Sequence, residues 1–434
     1  MRSIGREELY AYTPVASPDT VSFRVLPALV LIASVSFNAG LAFVNGHIMP
    51  VPTALVIVTE AGLVSAAMGL ALLAWRPQMA PSVALIAALG LFAVFRGLLM
   101  AQPDPKLLRD VILIPVFLML GMSFDIRGLG RAVLALHTIV FAVFLLAALA
   151  PQAYSDLLHI QDYYIKTRGN KLDEFYNTNS ELFISATRPN ERFFSFVDAP
   201  RMSSLFLEPV SLGNYCSIVT VFLCACMRRL GLAASAYLAL TTAAMLVGCD
   251  GRLATATCVL IVIACALAPW LPPRSAVLYL PAAVLLVFAL VIGADLQPGT
   301  DDFPGRLAYT VQLLSSYDVP EILGLSNELV SKAMDSGVAY LITTQSLPCL
   351  LLLWAYISLI PREDTKEQVR FTHGLSLYLA LSMMVSYSFL TIKTGALLWF
   401  IQGALQVGST QRRPLTGSEG ENVLMPTEER SWAR

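Results

Sequence analysis

The chain has 434 residues, of which 56% are hydrophobic and only 14% are charged, and its mean hydropathy is +0.67. Soluble domains carry roughly 25% charged residues, so this composition predicts a membrane protein rather than a soluble one. The formal net charge of −1 excludes a bulk electrostatic argument for nucleic-acid binding.

Apolar runs recur along the whole chain. The first twenty residues are polar and show no apolar core with a small-residue cleavage site, so we expect a retained first span and not a cleaved signal peptide. A spanning helix needs roughly 20 mostly apolar residues. We therefore predict an all-α, polytopic membrane protein whose single transmembrane domain, 24–407, has about twelve spans. They lie at 24–44, 52–75, 81–99, 107–124, 131–150, 206–227, 231–249, 253–270, 276–294, 336–360, 372–388 and 391–407.

Lysine and arginine in the short loops predict the orientation of the spans. If residues 1–23 form a cytoplasmic N-terminus, the loops on that side hold most of the short-loop cations: Arg76, Arg127, Arg131, Arg228, Arg229, Arg274 and those of 361–370. Positive loops favour the cytoplasm, so we predict that both termini are cytoplasmic. Residues 408–434 are polar and contain Pro, Gly and Ser, and they are predicted to be a disordered cytoplasmic tail.

Two predicted outer loops, 151–205 and 295–335, are long, and long connections of this kind are usually functional. The first mixes charges of both signs with the aromatic residues Tyr163, Tyr164, Phe175, Tyr176, Phe193, Phe194 and Phe196. One interpretation is a short amphipathic helix on the outer leaflet followed by a hairpin. The other is that the aromatics only anchor the loop at the membrane interface.

Ionisable residues in or beside the spans gather on the predicted outer side: Glu60, Arg96, Arg109, Asp110, Glu208, Asp250, Arg252, Asp335 and Lys393. A transporter usually has its polar site near the midplane, and a proton relay threads charges through the whole membrane. A single level of charge instead favours binding or chemistry at the outer interface.

Structural alternatives stay open for several of these residues. Arg96 and Arg109 can snorkel at helix ends, and Glu60 can pair with one of them. His137 is more typical of a hydrogen-bonded helix residue than of a catalyst.

The sequence contains no cofactor or metal signature. It has no P-loop, no HExxH and no GxGxxG in a strand–helix context. Its seven cysteines lie in or beside apolar runs without CxxC spacing, which is typical of small buried hydrophobic residues. We expect neither a cofactor nor a metal.

Arginines and carboxylates near the two long loops suit a substrate that carries a diphosphate. The planar guanidinium fork matches phosphate oxygens, so we assign diphosphate binding to Arg201, Arg252 and Arg306. A neighbouring carboxylate, Asp335 or Glu208, can act as general base toward a sugar hydroxyl while the arginines stabilise the departing diphosphate. Further candidates of lower rank are Arg109, Lys393, Glu60 and Asp250.

Three short motifs carry a resemblance to a known family. RMSSLFLEPVSLG (201–213) fits the pattern R-x-x-S/G-x-F-x-x-P-x-x-x-G at the entry to a span, GR (251–252) opens a later span, and a further arginine, Arg306, lies in the second long loop. With about a dozen spans and two long outer loops, the chain resembles the bacterial O-antigen and exopolysaccharide polymerases (Wzy-type) and the related O-antigen ligases. Where the ligases carry a histidine, DSGVAYL has Asp335, which favours a polymerase of the xanthan-like kind.

The resemblance implies a metal-independent membrane glycosyltransferase of the C-type class at the periplasmic face of the bacterial inner membrane. It would join undecaprenyl-diphosphate-linked oligosaccharides, one as donor and one as acceptor, in exopolysaccharide or O-antigen biosynthesis. A chain-length regulator and a flippase are expected as further partners besides the lipid bilayer. Two alternatives stay open: a ligase that transfers finished glycan to another acceptor, and a transporter or flippase of lipid-linked glycans with twelve helices.

Overall fold

The computed structural model describes residues 21–101, 105–177, 181–187, 192–197, 199–299 and 302–407. Helices and turns make up these ranges, and they contain no strand, which confirms the predicted all-α class. The predicted tail, 408–434, and residues 1–20 of the predicted N-terminus lie outside the described residues.

The described chain forms seventeen α-helices. Their bounds are α1 Val21–His47, α2 Thr53–Leu73, α3 Ala80–Met100, α4 Pro105–Ser123, α5 Ile126–Leu149, α6 Pro151–Leu158, α7 Ile160–Arg168, α8 Pro209–Leu230, α9 Leu232–Cys249, α10 Arg252–Leu267, α11 Tyr279–Gly293, α12 Phe303–Ser315, α13 Val319–Ile322, α14 Gly337–Gln345, α15 Leu347–Leu359, α16 Lys366–Ser382 and α17 Ile392–Val407.

Eight of the described helices are long and apolar enough to cross a membrane: α1, α2, α3, α5, α8, α9, α10 and α11. Each overlaps one of the predicted spans. Large apolar side chains cover the outside of the bundle, and on α3 Leu91 and Leu98 are 72% and 78% exposed. An apolar outer surface of this kind suits contact with lipid. The helices therefore indicate a membrane-embedded protein, while the full count of twelve spans remains a prediction.

The other predicted spans correspond to shorter or more polar helices near the centre of the bundle. α16 and α17 have 17 and 16 residues, and α4 begins with the charged residues Lys106, Arg109 and Asp110. Every residue of α17 is buried, and α17 packs along α4. Glycine permits this close approach, because a β-carbon at Gly121 would overlap the backbone of Phe400.

The predicted span 336–360 is a bent pair of helices and not one straight helix. α14 and α15 meet at 119°. Between them Ser346 has a φ of 99°, outside the helical region, and its hydroxyl accepts a hydrogen bond of 3.2 Å from the Cys349 amide, which caps α15. Pro348 has no amide hydrogen with which to extend the ladder of α14. The sequence did not predict this bend, because an apolar pattern carries no information about backbone dihedral angles.

The first predicted long loop begins as part of the helical bundle. α6 and α7 pack against α1, α2 and α5, and Tyr163 and Tyr164 are buried on α7. The Tyr163 hydroxyl donates a hydrogen bond of 3.0 Å to Asn38 Oδ1 of α1. Phe193 and Phe196, farther along, are exposed. The predicted hairpin is wrong for the described residues of 151–205, which contain no strand.

The second predicted long loop contains α12 and α13 and is held by Arg96 of α3. Arg96 is buried, and its guanidinium donates hydrogen bonds of 2.6 Å to the Gly324 carbonyl and to Asn327 Oδ1. The interpretation of Arg96 as a snorkelling residue is therefore wrong, since the side chain points to protein acceptors rather than to water. Arg96 therefore joins α3 to the segment that follows α13.

We predict different effects on stability for two glycine-to-alanine substitutions. A β-carbon at Gly403 of α17 would overlap the Leu118 carbonyl and lie 2.9 Å from the Met122 amide nitrogen, so Gly403→Ala should destabilise the protein by about 1–3 kcal/mol. Gly62 of α2 has no neighbouring atom within 4 Å, so Gly62→Ala should be neutral or stabilise by up to about 1 kcal/mol. Thermal unfolding in detergent measures both, and equal melting temperatures would contradict close α4–α17 packing.

Candidate functional site

A cavity of about 520 Å³ lies where the ends of several helices meet. Its walls are the first turns of α8, α10 and α12, the C-terminal end of α16, and the turn between α9 and α10. Segments distant in sequence contribute to it, from Ser185 to Ser386. The bundle therefore brings to one place several of the span ends that sequence analysis assigned to a common level.

The structure brings together the three arginines that were assigned to a diphosphate. Arg201, Arg252 and Arg306 all line the cavity. Arg201 lies in the connection between α7 and α8, Arg252 is the first residue of α10, and Arg306 lies in the first turn of α12. Three arginines from separate segments thus line one space.

Three helix N-termini open on the same cavity. The first turns of α8, α10 and α12 contribute lining residues, among them Pro209, Leu253 and Pro304. The N-terminus of a helix has amide groups without intrahelical partners and the positive end of the helix dipole, and both favour an anion. The helix N-termini and the arginines therefore both favour a negatively charged ligand.

Asp250 positions Arg201. One oxygen of its carboxylate, Oδ2, lies 3.3 Å from Arg201 Nη2, and the other, Oδ1, accepts a hydrogen bond of 3.1 Å from the Phe194 amide. The Asp250 side chain is 0% exposed. Its backbone, with a φ of 52°, ends α9 in the left-handed region, which aspartate tolerates better than most residues. This turn places Arg252 two residues later at the cavity.

Arg192, which the sequence analysis did not single out, fixes the end of the first long connection beside the cavity. Its Nη2 donates to the carbonyls of Val247 and Gly248 at 2.8 and 3.0 Å, and its Nη1 donates to the Ala199 carbonyl at 2.6 Å. It thereby adds donors to carbonyls in the last turn of α9, where the regular helical hydrogen bonds end. Nothing in the spacing of the sequence distinguished Arg192 from other loop arginines.

Glu208 does not line the cavity, although it lies next to Pro209. Its carboxylate lies 2.8 Å from Lys393 Nζ of α17 and 2.6 Å from Arg168 Nη2 of α7, and it accepts hydrogen bonds from Tyr164 and Ser211 at 3.0 and 2.9 Å. Burial raises the pKa of Glu208, but Arg168 and Lys393 outweigh burial and hold the pKa well below its ordinary value. These contacts make Glu208 an anchor for the start of α8, and a carboxylate held so firmly in its ionised form is a weak base.

Arg109 and Glu60, two of the lower-ranked candidates, belong to a separate charged cluster on α2, α4 and α14. Arg109 pairs with both Glu60 and Asp110, and Asp110 also contacts Lys106 Nζ at 3.0 Å. The Tyr340 hydroxyl donates to Asp110 at 2.7 Å. The structural alternative for Glu60, an ion pair with an arginine, is confirmed. None of these residues is among the described ones that line the cavity.

Asp335, the other predicted base, lies on an exposed turn, Lys332–Asp335, that packs against α12. It is not among the described residues that line the cavity. Asp302, which sequence analysis missed, does line it. The signal was present in the sequence, because an aspartate two residues before Pro304 is typical of a helix start.

His137 is a structural residue, as its sequence context indicated. It is fully buried on α5, and its ring nitrogens lie 3.1 Å from the Tyr215 hydroxyl and 2.7 Å from Thr241 Oγ1. Both polar atoms of the ring are satisfied inside the bundle, so the side chain joins α5 to α8 and α9.

Comparison with known proteins leaves the resemblance to the polymerases as a prediction. No protein-family model, no curated protein and no solved structure matches the chain. The functional conclusion therefore depends on the chemistry of the cavity.

We predict that Glu208→Gln destabilises the protein by about 3–5 kcal/mol, because it leaves Lys393, whose side chain is 3% exposed, without its buried anionic partner. The matched control is Glu367→Gln. Glu367 pairs with Arg229 at a wetter position, so its loss should cost about 1 kcal/mol or less. Thermal unfolding of the two variants in detergent provides the comparison, and similar losses for both would contradict the anchoring role.

The same contacts give stability a pH dependence of defined sign. The pKa of Glu208 is lower in the folded chain than its ordinary value of 4.5, since Arg168 and Lys393 outweigh the effect of burial. The stabilisation that ionised Glu208 gives the folded chain is therefore fully present above the pKa of Glu208 in the unfolded chain. It is lost as the pH falls below about 4.5. Below that pH the melting temperature of the wild type should fall more steeply than that of Glu208→Gln. If the melting temperatures of the wild type and of Glu208→Gln fall equally steeply at acidic pH, this prediction is wrong.

Proposed function

We propose that this chain is a membrane glycosyltransferase that joins undecaprenyl-diphosphate-linked repeat units at the periplasmic face of the inner membrane, as a polysaccharide polymerase. The observation that carries the proposal is the meeting of Arg201, Arg252 and Arg306 with three helix N-termini around one cavity. This arrangement suits a substrate with two adjacent phosphates better than one with a single carboxylate, because several donors converge from different directions.

The charge balance of the cavity supports a departing diphosphate. Among the described lining residues, three arginines stand against two aspartates, Asp250 and Asp302, which leaves one net positive charge (3 − 2 = 1). A diphosphate gains negative charge as its bond to the sugar breaks. Donors held in place before the reaction stabilise that charge without reorganising, which is the usual source of electrostatic catalysis.

The apolar side of the cavity supports a lipid-linked substrate. Val210 and Phe303 line the cavity and are 53% and 48% exposed on the surface of the bundle. Leu253, Ala254 and Val385 continue the apolar lining between α10 and α16. A ligand with a charged head and an apolar tail would find both surfaces here, whereas a free sugar would leave the apolar wall uncovered.

In the proposed reaction, a hydroxyl of the acceptor repeat unit attacks the anomeric carbon of the donor. The bond from that carbon to the diphosphate oxygen breaks, and its electron pair stays with the diphosphate. Arg201, Arg252 and Arg306 neutralise the charge that develops there. A ligase would use the same groups with a different acceptor.

We predict that Arg252→Lys lowers polymer yield at least tenfold, because an ammonium group keeps the charge but cannot present the bidentate fork. Arg228→Lys is the matched control, since Arg228 is exposed in the last turn of α8, at the opposite end of that helix from the cavity. Gel analysis of lipid-linked glycans from a complemented deletion strain measures both. Full polymer yield from Arg252→Lys would argue against a diphosphate contact.

The deletion strain itself separates the polymerase from its alternatives. Loss of a polymerase should leave single repeat units on the lipid carrier, whereas loss of a ligase should leave full-length polymer on it. Accumulation of repeat units on the cytoplasmic side would instead indicate a flippase. Full-length lipid-linked polymer in the deletion strain would overturn the proposed function.

A further inference from the structure

Among the described residues that line the cavity, two are carboxylates, and they differ in exposure. Asp250 lies between α9 and α10, and Asp302 lies at the start of α12. The transfer proposed above requires a group that accepts the proton of the attacking hydroxyl. If the proposed function is correct, one of these two carboxylates accepts the proton of the attacking hydroxyl.

Asp250 is buried and held by the protein. Its side chain is 0% exposed, Oδ2 faces Arg201, and Oδ1 accepts the Phe194 amide. Protonation would weaken its interaction with Arg201 and so release a guanidinium from the diphosphate site. Asp250 is therefore suited to a positioning role.

Asp302 is exposed and is the N-cap residue of α12. Its Oδ1 accepts a hydrogen bond of 2.8 Å from the Gly305 amide. Because Asp302 is exposed and lines the cavity, a hydroxyl of a bound substrate can reach it. Its exposure also allows the proton to pass on to water after each transfer.

Asp302 lies one helical turn before Arg306. The Arg306 amide donates a hydrogen bond of 3.1 Å to the Asp302 carbonyl, which fixes the two residues on the first turn of α12. Side chains four residues apart on a helix are neighbours. A diphosphate held by Arg306 would therefore present its sugar-bearing end within reach of a hydroxyl that contacts Asp302.

We propose that Asp302 is the general base of the transfer. Its carboxylate takes the proton of the acceptor hydroxyl as the oxygen forms the new bond to the anomeric carbon. The donor's carbon–oxygen bond to the diphosphate breaks at the same time, and the leaving diphosphate keeps that electron pair. Asp302 then returns its proton to water.

The test is Asp302→Asn, because asparagine caps helices as well as aspartate but accepts no proton at this site. General base catalysis contributes roughly 10²–10⁴-fold, so kcat should fall about 100-fold or more while KM changes less than about threefold. The assay uses purified full-length chain in detergent with a polyprenyl-diphosphate-linked repeat unit as donor and acceptor. Asp318→Asn is the matched control, since Asp318 is the N-cap of α13 and lies outside the described lining of the cavity.

A pH–rate profile separates proton transfer from a structural effect. The wild type should lose activity at acidic pH as the base becomes protonated, and the residual rate of Asp302→Asn should lack that acidic limb. Asp302→Glu should restore part of the rate, and all variants should melt within a few degrees of the wild type. A rate within threefold of the wild type, or an unchanged acidic limb in Asp302→Asn, would overturn the assignment of Asp302. Failure of the wild type to form any polymer would instead refute the proposed function.

Discussion

The architecture of the site depends on ion pairs between charged side chains inside the helical bundle. Glu208 joins α7, α8 and α17 through Arg168 and Lys393 at the point where α8 begins. Two unpaired charges at this depth would each cost several kcal/mol. Because the pairs form only when all three helices are in place, they specify one arrangement of the chain. That arrangement positions Pro209 and the first turn of α8, which form one wall of the cavity.

A second constraint follows from the direction of the helices. α8, α10 and α12 all start at the cavity, so their positive dipole ends add to the charge of Arg201, Arg252 and Arg306. The turn at Asp250 reverses the chain within a few residues, and this lets α10 begin where α9 ends. Each helix N-terminus adds about half a positive charge to the full charges of the arginines, so topology and side chains reinforce one another. An anion is the ligand that such a field favours.

Much of this arrangement could be predicted from the sequence, and the failures have physical reasons. Apolar runs located the candidate spans. The three arginines that the sequence assigned to a diphosphate, Arg201, Arg252 and Arg306, line one cavity. The bend at Ser346 was missed because hydropathy carries no information about dihedral angles. Asp335 and Glu208 were chosen as bases by proximity along the chain. Whether a residue lines the cavity is a tertiary feature, and proximity along the chain does not reveal it.

The carboxylates of this region divide by exposure, and the division suggests how their tasks are separated. Asp250 is buried, Glu208 is 14% exposed, and both face cations, so they are suited to holding other groups. A residue that must gain and lose a proton in every cycle needs access to water. Asp302 meets this requirement by its place at a helix start, where a capping role keeps it oriented without burying it. The helix that presents Arg306 to the diphosphate thus also orients the proton acceptor, and one element sets the distance between them.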